Sequence, residues 1–223
     1  MSSEPDTHAA LMDRVYRRQR HIYNLTRRYY LVGRDRLIRG LGLKPGDRCV
    51  EIGCGTARNL IAVAHRYPQA RLFGLDASQA MLETATHAVE RAGLSSKVKL
   101  VHGYAENLDP ALFEEAQPFE CAVFSYSLSM IPDWQGALAA ANAALSPSGR
   151  LHIVDFGDLT GLGRIGSVAL RFWLGRFHVV PRAEILHELE SRDSSDPARH
   201  LWISPGRYAF VWSGQRDGLR EAG

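Results

Sequence analysis

CVEIGCGTARN, residues 49–59, reads as a short apolar strand, a turn with two glycines and the start of a helix. Glycine permits positive φ and a close approach of the backbone to a ligand. A helix N-terminus also presents N–H groups to polar ligands. The stretch therefore predicts a nucleotide-like ligand at the carboxyl end of this strand.

Three details narrow the identity of that ligand. The dinucleotide fingerprint G-x-G-x-x-G needs a small residue at position 58, where this chain has Arg58, and this argues against NAD and FAD. The absence of a G-x-x-x-x-G-K-[ST] pattern argues against a nucleoside triphosphate. Glu51, two residues before Gly53, puts a negative charge beside the turn, which suits a cationic ligand.

Strand and helix patterns alternate along the middle of the chain. Strands are predicted at 48–53, 71–76, 97–103, 119–128 and 149–157. The intervening helices are predicted at 57–67, at 79–92 with Ser78 as the N-cap, and around WQGALAAANAAL. Such alternation requires parallel strands with helices on both faces, an α/β doubly wound sheet in three layers. HLWIS and RYAFVWSG predict a closing antiparallel pair.

The sequence divides into an N-terminal helical arm (1–42), an α/β domain (43–215) and a tail (216–223). Residues 14–39 hold nine arginines against Asp35 alone. This basic arm predicts an anionic partner, either a membrane surface or a nucleic acid, unless it is simply a solvated helical face. The segment 161–182 is apolar and basic, and it predicts either a membrane-facing insertion or a helix buried beneath the sheet.

Composition excludes several other classes. Cys49, Cys54 and Cys121 show no CxxC spacing and fit a reduced, cytoplasmic protein. We expect no secretory signal, because the first residues lack a basic region followed by an apolar run. No window approaches 18 consecutive apolar residues, so no transmembrane helix is expected either. No metal site is predicted.

Polar residues follow the second and third predicted strands. Asp76 lies 21 residues after Gly55 and can accept hydrogen bonds from both hydroxyls of a ribose. The alternative is an acidic residue favoured by the dipole at a helix N-terminus. GYAENL (103–108) ends the third strand, where Ala105 and Glu106 could flank an adenine.

Together these motifs resemble the class I S-adenosylmethionine-dependent methyltransferases over about residues 45–155. They are Glu51-x-Gly53-x-Gly55-x-Ala57, then Leu75-Asp76-Ala77-Ser78 with Met81, then Gly103-Tyr104-Ala105-Glu106. The resemblance implies a Rossmann-like sheet of seven strands, mostly parallel, with an antiparallel last strand. It also implies the cofactor S-adenosylmethionine. By this analogy Gly53 and Gly55 border the methionine part of the cofactor, and Asp76 holds its ribose. Met81, Ala105 and Glu106 lie at the adenine, Ser125 lies near the cofactor after strand four, and Ala77 is a further cofactor-binding residue.

HIYNLTRRYYLVGRDRLIRGL (21–41) resembles the start of the bacterial N-methyltransferases of betaine-lipid synthesis. This resemblance implies trimethylation of the amino group of diacylglyceryl-homoserine, to form diacylglyceryl-N,N,N-trimethylhomoserine. A substrate with two acyl chains must be reached at a bilayer. We therefore expect a cytoplasmic protein that associates peripherally with the anionic inner face of the cell membrane.

The arm supplies further candidates for cofactor binding. Tyr16, Tyr23 and Tyr30 recur every seven residues, so a continuous helix would align them in one stripe. Their rings could hold the sulfonium or the growing quaternary ammonium by cation–π contacts, or could merely pack the arm onto the domain. Arg34 could pair with the carboxylate of the cofactor or of the homoserine, or could lie at the surface beside Asp35.

Successive N-methylations need a group that accepts a proton from the ammonium. The predicted acceptors near strand ends are Tyr126, Asp155 and His178, of which His178 has a suitable unperturbed pKa.

Two other functions compete with this one. Another methyltransferase, acting on phosphatidylethanolamine or on a quinone ring, would share the same core. A nucleic-acid-binding protein would use the arginine arm, but SYSLSMIPD follows the fourth strand where amino methyltransferases of nucleic acids carry an NPPY-type motif. Nucleic acid is therefore not the expected partner, and a homo-oligomer stays open.

Overall fold

The computed structural model describes residues 31–175, 182–191 and 200–216. Its strands are β1 (Arg48–Ile52), β2 (Arg71–Asp76), β3 (Val98–His102), β4 (Phe119–Ser125), β5 (Leu145–Phe156), β6 (His200–Ile203) and β7 (Ala209–Gln215). Its α-helices are α1 (Arg34–Gly40), α2 (Arg58–Arg66), α3 (Gln79–Arg91), α4 (Trp134–Ala144), α5 (Gly163–Gly175) and α6 (Ala183–Ser191).

The seven strands form one sheet in the order β3-β2-β1-β4-β5-β7-β6. Strands β1 to β5 pair in parallel, and β7 runs antiparallel to both β5 and β6. The predicted mostly parallel sheet with a reversed last strand is therefore confirmed. Helices α2, α3 and α4 make the crossovers that parallel neighbours require.

Each face of the sheet carries its own hydrophobic core. Because successive side chains of a strand point to opposite faces, Val123 of β4 belongs to one core and Phe124 to the other. The first core packs against Leu37 of α1, Leu60 of α2 and Leu82 of α3. The second packs against Leu138 of α4 and Leu186 of α6. The three predicted layers are present.

Strand β4 is shorter than the sequence predicts. It ends at Ser125 instead of residue 128, because Tyr126 adopts φ +55 and a left-handed residue ends an extended strand. A short 3-10 helix, Leu128–Met130, follows. Gly33, with φ +90, likewise marks the start of α1.

Helix α1 is attached to the domain at its far end by Tyr67. The hydroxyl of Tyr67 donates to the carbonyl oxygens of Ile38 and Arg39, each at 3.1 Å, and accepts from the N–H of Gly42 at 3.3 Å. Within the part of the chain that the structure describes, no helix is both long enough and apolar enough to cross a bilayer.

Candidate functional site

The turn between β1 and α2 is fastened to the carboxyl end of β2. The N–H groups of Gly53 and Cys54 donate to the carbonyl oxygen of Leu75 at 2.8 and 3.0 Å. The N–H of Gly55 donates to Oδ2 of Asp76 at 2.7 Å. Gly53 and Gly55 have φ of +73 and +54, so both predicted glycines occupy the conformation that favours glycine.

Asp76 connects this turn to α3. Its Oδ1 accepts the N–H of Ser78 at 2.9 Å while its Oδ2 holds Gly55. Ser78 Oγ accepts the N–H of Met81 at 3.3 Å, so Ser78 is the N-cap of α3, as predicted. The two backbone bonds orient the carboxylate of Asp76 at the end of β2, the position predicted for the ribose.

Glu51 carries a negative charge into the protein directly before the glycine turn. It is only 2% exposed, and its Oε1 accepts the side-chain N–H of Asn59 at 2.6 Å. Burial raises the pKa of the Cys54 thiol well above 9.0, and the charges of Asp76 and Glu51 add to the shift. Cys54 therefore stays a neutral thiol at physiological pH. The negative charge beside the glycine turn comes from the carboxylates of Glu51 and Asp76.

The loop after β4 packs directly on the glycine turn. Ser127 Oγ donates to the carbonyl oxygen of Ile52 at 2.7 Å. A Cβ added to Gly53 would lie 2.5 Å from Cβ of Ser127. Ser127 was not among the predicted site residues, because the bond to Ile52 joins positions 75 residues apart and leaves no local sequence signal.

Ser125 lies at the carboxyl end of β4, in register with Val154 of β5. It is 7% exposed, and its Oγ has no hydrogen-bond partner among the described residues. A buried hydroxyl without a partner is costly, so a bound ligand would stabilise it by accepting or donating one hydrogen bond.

Two of the predicted proton acceptors already form hydrogen bonds with backbone groups of the protein. The hydroxyl of Tyr126 donates to the carbonyl oxygen of Val32 at 2.5 Å. Asp155 is fully buried; its Oδ2 accepts the N–H of Ser129 at 2.9 Å and its Oδ1 that of Phe156 at 2.8 Å. These bonds give both side chains a structural task at the site, and their role in proton transfer stays a prediction.

The described part of the arm lies on the sheet next to these strand ends. A Cβ on Gly33 would lie 2.8 Å from the Val211 side chain and 3.3 Å from the Trp202 ring. The Arg34 side chain is 16% exposed, and its Nη2 lies 3.4 Å from Asp35 Oδ1. Arg34 Nε is buried with no hydrogen-bond partner among the described residues. Arg34 thus combines the predicted pairing with Asp35 with a buried N–H donor that a carboxylate could still bind.

The residues predicted around the adenine follow β2 and β3. Met81 is buried in the first turn of α3, at 4% exposure. Ala77 is half-buried, and its carbonyl oxygen lies 3.0 Å from Nε2 of His102. Ala105 is half-buried and Glu106 is exposed. Their contact with an adenine stays a prediction, as does the contact of Ala77 with the cofactor.

Tyr16, Tyr23, Tyr30 and His178 lie outside the described residues. The aromatic stripe and the histidine proton acceptor therefore also stay predictions.

The described side chains suit the polar parts of S-adenosylmethionine. Asp76 is an acceptor of the kind that ribose hydroxyls need, and Glu51 is an anion suited to the amino group or the sulfonium. Arg34 Nε and Ser125 Oγ are buried polar atoms that lack partners among the described residues, and they would suit a carboxylate. Where this cofactor binds, these four residues would hold it.

Comparison with known proteins supports this interpretation. Residues 49–149 match the family model described as a methyltransferase domain. A demethylmenaquinone methyltransferase of Geobacillus kaustophilus (strain HTA426) is 30% identical over 137 residues, which is 61% of this chain and 56% of the relative. The chain thus spans little more than half the length of that relative.

Two solved structures share the fold. An S-adenosylmethionine-dependent methyltransferase, SibL, in its apo form is 21% identical, with a TM-score of 0.62 over 91% of this chain and 58% of its own. A SAM-dependent methyltransferase from Aquifex aeolicus is 16% identical, with a TM-score of 0.59 over 86% and 93%. At these identities the likeness concerns the fold alone. Residues 49–149 are thus similar to a methyltransferase domain, and the order of the strands in the sheet agrees with the fold of the two solved methyltransferases.

Proposed function

We propose that this protein is an S-adenosylmethionine-dependent N-methyltransferase that trimethylates the amino group of diacylglyceryl-homoserine. The observation that carries the proposal is the position of residues 31–41, which belong to the run resembling enzymes of betaine-lipid synthesis. The carbonyl oxygen of Val32 accepts a hydrogen bond from Tyr126, which follows β4, and Gly33 packs closely against the Val211 side chain of β7. The segment whose resemblance points to the homoserine lipid as methyl acceptor therefore packs at the end of the sheet where we expect the cofactor.

The charges at this end also support an amino-acid head group. Homoserine and the methionine part of the cofactor each carry a carboxylate, and a guanidinium binds a carboxylate through two parallel hydrogen bonds. The largely buried Arg34 offers such a group. Glu51, 2% exposed, offers the opposite charge.

When bound, S-adenosylmethionine supplies an electrophilic methyl group on its sulfonium. The protein then has to align the acceptor nitrogen and exclude water, which provides most of the acceleration in such a transfer. The bond from Tyr126 to Val32 holds the arm next to the site, and Ser127 holds the glycine turn. An amine must lose a proton before it can attack, and Asp155, Tyr126 and His178 are our candidates for accepting it.

Methylation of a quinone ring is the second candidate function. It is favoured by one observation, namely that the G. kaustophilus relative is named a demethylmenaquinone methyltransferase. Both acceptors are hydrophobic molecules, and they differ in the atom that receives the methyl group. Phosphatidylethanolamine is the remaining amine to be tested.

The test is methyl transfer by the full chain from radiolabelled S-adenosylmethionine into detergent micelles that contain one acceptor each. We expect label in diacylglyceryl-homoserine, and mass spectrometry should find up to three added methyl groups. Label in demethylmenaquinone or phosphatidylethanolamine, with none in the homoserine lipid, would contradict the proposal.

Two aspartate variants serve as controls in this assay. Asp76→Ala should abolish transfer, because it removes the carboxylate that holds Gly55 and is assigned to the ribose. Asp109→Ala should retain transfer. Asp109 accepts a backbone N–H in the same way, from Ala111 at 2.7 Å, but it does so in an exposed turn after β3.

A further inference from the structure

Helix α5 presents apolar side chains to solvent. Val168 is 62% exposed and Phe172 is 73% exposed, and Leu162, just before the helix, is 37% exposed. Val168 and Phe172 are four residues apart, so they are neighbours on one face. Leu170, by contrast, is partly buried against the core. A helix at the surface of a globular protein normally turns its polar face outward, so this exposed face calls for a partner.

The charge of the segment indicates what kind of partner. Residues 161–181 contain three arginines, at 164, 171 and 176, and no acidic residue. At 3.6 residues per turn, positions 164 and 171 fall on the same side of the helix as position 168. Apolar residues flanked by cations, without acids, are the composition of helices that lie in the interface of an anionic bilayer.

The helix is also firmly attached near the candidate site. It follows β5, whose carboxyl end lies at the same edge of the sheet as Ser125 of β4. The loop between β5 and α5 is held by an ion pair of 2.7 Å between Asp158 Oδ2 and Arg207 Nε. A Cβ on Gly161 would lie 2.8 Å from Cα of Gly206, so the backbone packs closely there. Whatever binds the exposed face of α5 is thus held at the edge of the sheet that carries the site.

We propose that the exposed face of α5, built on Val168 and Phe172, docks this protein onto an anionic lipid bilayer. Val168 and Phe172 enter the head-group region, and the positive charge of the segment attracts the anionic surface. The docking itself does not depend on the proposed function. Only its biological role does, since docking at this edge would bring the site to acceptors that lie in the membrane.

The experiment is flotation of the full chain with vesicles of phosphatidylcholine, prepared with or without phosphatidylglycerol. We expect binding to the anionic vesicles, weakened by added salt. Phe172→Ser should lower the affinity at least about tenfold, equivalent to about 1.4 kcal/mol. Leu112→Ser is the matched control and should bind as the wild type does. Leu112 is also exposed, at 41%, but it follows β3, which is separated from β5 by three strands of the sheet.

A further variant tests the electrostatic part of the docking. Replacing Arg164 and Arg171 together by Gln should reduce binding to anionic vesicles and flatten its salt dependence. Equal vesicle binding by Phe172→Ser and the wild type would overturn the proposal. So would a wild-type dimer that Phe172→Ser converts to a monomer in sedimentation velocity, since the face would then bind a second copy of the chain.

Titration with S-adenosylhomocysteine separates this proposal from the proposed function. We expect Phe172→Ser to bind S-adenosylhomocysteine as tightly as the wild type. If vesicle binding fails while S-adenosylhomocysteine still binds, docking is overturned and the methyltransferase assignment stands. If the wild type docks but methylates none of the offered acceptors, docking stands and the proposed function fails.

Discussion

Gly53 illustrates how closely single atoms meet in the candidate site. Its φ of +73 favours glycine, and the space where a Cβ would project is taken by the side chain of Ser127. The Ser127 hydroxyl bonds to Ile52, so the serine has little freedom to withdraw. The two loops that are expected to surround the methionine part of the cofactor therefore depend on each other for their positions.

Gly53→Ala should destabilise the protein more than Gly93→Ala does. Both glycines have positive φ, +73 and +68, but an added Cβ at Gly93 meets nothing within 4 Å. Both variants bear the cost of a left-handed alanine, about 1–2 kcal/mol. Gly53→Ala adds overpacking against Ser127, about 1–3 kcal/mol. Urea unfolding measures the difference.

Equal losses of stability in the two variants would contradict the close contact between Gly53 and Ser127. The additional change Ser127→Gly in the Gly53→Ala background removes the obstructing Cβ. It should therefore recover part of the stability that Gly53→Ala loses in urea unfolding.

Among the elements, α1 and the residues before it are attached at two points. Tyr126 binds Val32 at the end near the site, and Tyr67 binds Ile38 and Arg39 at the other end of the helix. Apolar packing of Leu37 between these points makes the helix part of the main core. The arm is thus joined to the domain through its last turns by both polar and apolar contacts.

Tyr126→Phe should loosen the segment before α1 and weaken cofactor binding. The change removes the hydroxyl that donates to Val32, at a cost of about 0.5–1.5 kcal/mol. Hydrogen exchange at residues 31–41 and titration with S-adenosylhomocysteine are the measurements. If Tyr126 is instead the proton acceptor, kcat should fall by orders of magnitude, and the acid limb of the pH–rate profile should change.

Tyr67→Phe is the control for this experiment. It removes hydrogen bonds of the same kind from the far end of α1, where Gly42 and Arg39 are exposed. We expect it to increase exchange in α1 while the affinity for S-adenosylhomocysteine stays the same. Equal losses of affinity in the two variants would contradict a specific role for the contact between Tyr126 and Val32.

At the scale of the whole molecule, one ion-pair group joins three segments that are far apart in the chain. Arg207, just before β7, bonds to Asp158 after β5 at 2.7 Å and to Glu190 of α6 at 3.0 Å. Burial by itself raises the pKa of Asp158. The N–H and hydroxyl of Thr160 and the guanidinium of Arg207 outweigh burial and keep this pKa below 3.8.

Because the pKa of Asp158 is lowered by folding, its contribution to stability is present above pH 3.8 and is lost as the pH falls through the folded-state pKa. Asp158→Asn should therefore reduce the free energy of unfolding at neutral pH by about 1–3 kcal/mol and so lower the melting temperature. The gap to the wild type should narrow as the pH falls below 3.8. Calorimetry over this pH range is the measurement.

Glu114→Gln is the control for this pH dependence. Glu114 pairs with Lys99 at the surface, and its pKa is also lowered by that bond. Water and salt screen exposed pairs, so this change should barely alter the melting temperature at any pH. A gap for Asp158→Asn that is independent of pH would contradict the linkage.

Much of the fold could be predicted because its signals are local. Helical periodicity placed α3, and Ser78 is its N-cap, as predicted. The end of β4 was predicted too late, because apolar residues continue past Ser125 and nothing in the sequence announces the positive φ of Tyr126. For the site, Gly53 and Gly55 follow from turn chemistry and Asp76 from its place at the end of the second strand, whereas Ser127 has no local signal.

The sequence by itself determined the order of strands and helices in the middle of the chain, the glycine turn and the acidic residue at the end of β2, since periodicity and turn chemistry act over a few residues. Only the tertiary structure decided that Tyr126 bonds to Val32, 94 residues away, and that Ser127 packs on Gly53. It also decided that Phe172 faces solvent. These facts depend on which surfaces meet when the layers pack, and no local pattern specifies that.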